Sequence, residues 1–144
     1  MTIAMLSRLV AVVLAAAIGF AQLANAQSGL LKKKTKLEPI TLSAGKPLAA
    51  APYEIEAGKF YSIDIVADGS QELGLAGPEF FRNVWVNEIV INDIEVRPLG
   101  VDSLEFDGAG KATISFIPIR PGTFELKIPK TSGETQKAIF NVKG

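Results

Sequence analysis

Most side chains in this sequence that could hold a metal ion or move a proton are carboxylates, amines and hydroxyls. Glu79, Glu88, Asp93 and Glu95 fall close together, with Glu72 just before them. Oxygen ligands at that density suit a hard cation such as Ca²⁺, or ferric iron assisted by the phenol of Tyr53 or Tyr61. The spaced Asp/Asn loop of an EF-hand is missing, and acids on strand exteriors are usually solvated. A cation, whether iron, calcium or copper, held by Glu79, Glu88, Asp93 and Glu95 is therefore the second expectation. Hydrolysis by paired carboxylates would need two acids held across a cleft. Ser62, Ser103 and Ser115 could each partner a Lys, yet none lies in a Gly-x-Ser-x-Gly elbow. Gly108-Ala-Gly110 is too short to cradle a phosphate. No catalytic residue is assigned, and the chain is expected not to be an enzyme.

What the 144 residues lack narrows the choice further, because there is no Cys and no His, and the two methionines are Met1 and Met5. Disulfide staples, thiol catalysis, imidazole relays and any metal site built on thiolate or imidazole are thereby excluded. Contact chemistry is left as the first expectation. Phe80, Phe81, Arg82 and Trp85 are residue types that interfaces favour, and the 79–95 segment is densest in aromatic and acidic side chains. It is expected to engage an unidentified partner protein, although a helix lying across a sheet would ordinarily bury those rings.

The elements that must position these groups are short. Ile40-Thr-Leu42, Tyr53-Glu-Ile-Glu56 and Phe60 to Val66 alternate apolar with polar residues, the period of a half-buried strand. Ala57-Gly58-Lys59 reads as a hairpin-like turn, and Asp68-Gly69-Ser70 ends the next strand. From Pro78, a good first helical residue, Phe80, Phe81, Val84, Trp85 and Ile89 recur at helical spacing, which predicts a helix of two or three turns. Ile89, Ile91, Ile94 and Val96 then suggest extended chain broken at Asn92-Asp93. Strands at Ser103 to Phe106 and Ala112 to Ile117 flank an Asp107–Gly110 turn. Pro121-Gly122 leads into Thr123 to Ile128, and Ala138 to Val142 closes the domain. Seven or eight short strands and one short helix predict an all-β Greek-key sandwich or small barrel.

Charge is unevenly spread, since residues 27–47 carry a net +4, 48–107 a net −9 and 108–144 a net +4. The Lys32-Lys33-Lys34 run has no interleaved aromatic and is expected to be a solvated tether, not a grip on nucleic acid. Ahead of it, Arg8, the apolar run from Leu9 to Ala21 and the small-x-small triplet Ala24-Asn25-Ala26 have the form of a secretory signal peptide. The apolar run is short of the roughly 20 residues that span a bilayer. The expected organisation is a signal peptide over 1–26, a Lys-rich lead-in with the first strand over 27–47, and one sandwich domain over 48–144. Such a chain would be exported to a bacterial periplasm and keep no stable membrane span once cleaved.

Gly122-Thr-Phe-Glu-Leu-Lys-Ile-Pro129, preceded by Ala112-Thr-Ile-Ser-Phe-Ile-Pro118, resembles the last two strands of a cupredoxin, the Greek-key sandwich of blue-copper proteins. Tyr53-Glu-Ile-Glu-Ala-Gly-Lys-Phe60 is similar to the strand and Gly turn near that family's start. The resemblance implies the scaffold. It also implies that the copper Cys would fall at Ile128 and a following His at Thr131. A type 1 copper site needs a thiolate and two imidazoles, so the chain is expected to be a cupredoxin-like binding or accessory module with no cofactor of that kind.

Overall fold

The computed structural model describes residues 33–144, so the expected signal peptide and the first residues of the lead-in lie outside it. Two sheets face one another. The first contains β1 (Thr35–Lys36), β2 (Ile40–Leu42), β4 (Tyr61–Ala67), β6 (Val84–Ile91), β7 (Ile94–Val96) and β9 (Gly110–Pro118). Its order is β1-β4-β9-β6-β7, with β2 also paired to β4. The second contains β3 (Tyr53–Glu56), β5 (Leu73–Ala76), β8 (Ser103–Phe106), β10 (Gly122–Lys127) and β11 (Lys137–Lys143), in the order β3-β11-β10-β5-β8. One helix, α1 (Pro78–Arg82), joins β5 to β6. The architecture is an all-β Greek-key sandwich, with eleven strands among the described residues instead of seven or eight. The excess comes from short pieces such as β1 and β5, too brief to stand out as strands in the sequence.

The core lies between the inward faces. Ile63 and Ile65 of β4, Ile114 and Phe116 of β9, Leu126 of β10 and Phe140 of β11 are all buried there. Aromatic rings knit the two sheets: Phe80 of α1 packs 4.5 Å from Phe140 and 5.3 Å, edge to face, from Phe116. Edge-to-face and offset contacts at these distances add to the gain from burial alone.

The helix is shorter than the spacing predicts. Pro78 starts it and Asn83 closes it by donating its N–H to the Phe80 carbonyl, so Val84, Trp85 and Ile89 belong to a strand. Two causes favour the strand. Val84, Val86, Ile89, Val90 and Ile91 are β-branched and suit a pleated surface. A bulge between Val86 and Glu88 also inserts one residue, so the positions opposite the inward residues of β9 run 84, 86, 89 and 91. The gap of three imitates a helical repeat.

Three expected turns change sheets instead of closing hairpins. Ala57-Gly58-Lys59 carries the chain from β3 to β4, Asp107 to Gly110 from β8 to β9, and Pro121-Gly122 from β9 to β10. Alternation shows which side chains face inward but not which sheet receives the strand. Asn92-Asp93 does make a hairpin, joining β6 to β7 with φ of 48° and 67°, the double left-handed turn that fits strand twist.

Candidate contact site

The four expected contact residues divide. Phe80 and Phe81, 1% and 7% exposed, are core residues and cannot meet a partner in the folded state. They face inward because α1 is a single turn laid against β10 and β6. Arg82 projects outward and pairs with Glu79 one turn earlier, at 3.0 Å. Trp85 leaves the core, being 47% exposed on β6 opposite Ile117. Arg82 and Trp85 are thus surface residues, and the two phenylalanines belong to the core.

The expected metal ligands are not gathered. Glu79 is engaged by Arg82, Glu95 by Arg97 at 3.1 Å, and Asp93 occupies the hairpin turn. Glu88 is the most enclosed, with Arg97 at 3.3 Å and Lys34 at 3.4 Å. Where carboxylates do meet, between Glu88 and Glu95, the Arg97 guanidinium fills the place a cation would take. Among the described residues no three acidic side chains form a metal-binding group. Tyr53 and Tyr61 are no freer. Tyr53 stacks on Phe140, and burial, with Glu38 nearby, pushes its phenol up to about 12. Tyr61 accepts the Glu56 N–H at 3.0 Å.

The described part of the Lys-rich lead-in is clamped to the outer face of the first sheet. Thr35 donates to the Phe60 carbonyl and Leu37 to that of Ser62, which makes β1 a parallel partner of β4. Lys36 pairs with Asp64 at 2.9 Å, and Thr113 donates to the same carboxylate at 2.7 Å. The Thr113 and Lys36 hydrogen bonds hold the Asp64 carboxyl below its ordinary range. Lys34 donates to Ser115 at 3.0 Å, and Ser115 in turn donates to Glu88. This is a Ser–Lys contact, yet the serine is wholly buried and offers no face to a substrate.

At the far end, the β10–β11 connection is closed by its own backbone. The Ile128 N–H donates to the Gln136 carbonyl, and the Thr131 hydroxyl donates to that of Ile128 at 2.7 Å. Beneath lies a cavity of about 240 Å³ reached by Ser43, Lys46, Ile128 and Thr131. Ser43 is committed to Asp68, whose carboxyl its hydroxyl and the Ser70 N–H lower to about 2.

Sequence reasoning missed the most conspicuous surface feature. Among the described residues six large hydrophobic side chains are exposed, and five of them (Trp85, Ile91, Ile94, Val96 and Leu99) fall on β6, β7 or just beyond. Ile94 is 65% exposed. An available signal was position, since Ile94 and Val96 follow a hairpin turn and precede Pro98, the pattern of a sheet edge.

No family model and no curated protein matches the sequence. Solved structures do match. The chain is similar to Lac15 from a marine microbial metagenome (TM-score 0.54, 18% identity, 77% of this chain and 27% of that one). It is also similar to the copper nitrite reductase of Nitrosomonas europaea (TM-score 0.53, 15% identity, 67% and 34%). A third match is the multicopper oxidase of Campylobacter jejuni (TM-score 0.53, 9% identity, 78% and 30%). The chain spans about a third of the length of each. These likenesses define the fold: this is a cupredoxin-like domain, and with no Cys and no His it lacks the ligands of a type 1 copper centre.

Proposed function

We propose that this chain is an exported, periplasmic, non-catalytic module that keeps the cupredoxin scaffold and works by binding another protein. The observation that carries the reading is the concentration of exposed apolar side chains on β6 and β7, with Arg82 and Trp85 at one end and Ile91, Ile94, Val96 and Leu99 at the other. Strand register puts Ile91, Ile94 and Val96 on one face of the first sheet and Trp85 on the other, so they form two patches along the same edge region. Monomeric proteins seldom leave large apolar groups contiguous unless something covers them. Glu79, Glu88 and Glu95 of the 79–95 segment are held by Arg82, Arg97 and Lys34, which favours contact over cation binding.

Co-purification from a periplasmic extract tests this. Wild-type bait should recover a partner in stoichiometric amount, and a variant carrying Arg82→Glu and Trp85→Ala should recover several-fold less. Equal recovery with both baits, or none with either, contradicts the proposal.

A further inference from the structure

The hairpin patch of β6 and β7 has a feature that the Trp85 patch lacks. Between the β6–β7 turn and the β8–β9 connection lies a cleft of about 280 Å³. Its apolar lining comes from Ile91, Leu104, Phe106 and Ala112, and Glu105 and Asp107 stand at its mouth. Ile94 projects beside it, and Asp93 lies in the adjoining turn. Among the described residues eight acids take part in salt bridges; Asp93, Glu105 and Asp107 are three of the seven that take part in none, and these three cluster about one cleft. Lys111 is the one cation on the lining, and its field bears on Asp64 across the sheet.

We infer that this cleft docks a segment of a partner protein in which an apolar side chain is flanked by Lys or Arg. An apolar floor with an uncompensated anionic lip is complementary to that chemistry and to few others. The lead-in of a second copy does not supply the charge through Lys34 or Lys36, which are already spent on Glu88 and Asp64. Strand addition cannot carry the affinity, since β7 offers three residues and stops before Pro98. Side chains must do so. The inference rests on the contact reading above and assigns the partner's chemistry.

Short peptides selected from a random displayed library on the immobilised protein provide the test. The selected peptides should carry Leu, Ile or Phe flanked by Lys or Arg, and their binding should weaken as salt screens the lip. Affinity of the best peptide should fall at least about tenfold with Ile94→Asp, and similarly with Glu105→Lys combined with Asp107→Lys. A tenfold change is about 1.4 kcal/mol. Thr123→Ala, on the outward face of the second sheet, should leave it unchanged. These positions are on the surface, and an unaltered thermal midpoint confirms that each variant is folded. Selected peptides with no basic bias, or equal binding to the charge-reversed lip, overturn the inference. Peptides lost only with Trp85→Ala overturn the cleft and leave the contact reading standing. Failure to select any peptide overturns the cleft, and the co-purification above then decides the broader reading. Self-association abolished by Ile94→Asp would show a second copy as the occupant and overturn it too.

Discussion

Glu88 shows how a residue's type and its surroundings decide different things. In the sequence it reads as a metal ligand, and in the fold it is a shared acceptor for Lys34, Arg97 and Ser115. Spacing brought out the carboxylates, but their counter-ions come from 54 residues before Glu88 and nine after it, which no local pattern reveals. Asp68 makes a sharper case, with its carboxyl lowered from 3.8 to about 2 by the Ser43 hydroxyl and by Ser70. A depressed carboxyl contributes stability above its unfolded value and loses it as pH falls. Acid titration should therefore weaken the 43–70 contact between about pH 4 and pH 2, and Ser43→Ala should move the Asp68 resonance, followed by NMR, back toward 3.8. Tyr53 runs the opposite way. Its raised phenol favours the folded state below pH 10, and that contribution is lost as pH rises toward about 12. Ultraviolet titration should show one tyrosine ionising only near pH 12, with alkaline unfolding, while Glu38→Gln lowers that value.

At the scale of elements, alternation was legible wherever a strand has one wet face, as in β3, whose residues are buried and exposed in turn. It failed at β6, where the bulge breaks the period and an adjacent helical turn lends it a false phase. The boundary between α1 and β6 is fixed by packing: a Cβ on Gly77 would come within 2.7 Å of the Glu125 carbonyl, so the helix must enter there through glycine. Gly77→Ala should cost about 1–3 kcal/mol in denaturant unfolding. Phe80→Ala, which removes the ring that bridges Phe116 and Phe140, should cost about 3–5 kcal/mol. The β6–β7 turn predicts a gain in the other direction. Asp93 holds φ of 67°, and glycine there should be neutral or stabilising by up to about 1 kcal/mol, whereas Asp93→Val should destabilise by about 1–2 kcal/mol.

For the whole molecule, the scaffold could be named from strand and turn patterns near Gly122 and Tyr53, because those residues make the inner faces and the sheet-changing corners. The proposed contact surface was legible only in part. Arg82 and Trp85 stand out by residue type and do lie on the surface, but the exposure of Ile91, Ile94 and Val96 depends on β7 being an edge, which is a property of strand order. In a chain whose fold is similar to parts of copper enzymes but which has no Cys and no His, surface contact is the proposed mode of action. Site-specific photo-crosslinking in the producing cells tests it most directly. A photoreactive residue at 85 or 94 should yield a discrete crosslinked partner, and one at 54 or 123, on the outward face of the second sheet, should yield none. Crosslinks that arise equally from both sheets, or only from positions 54 and 123, would contradict the claim.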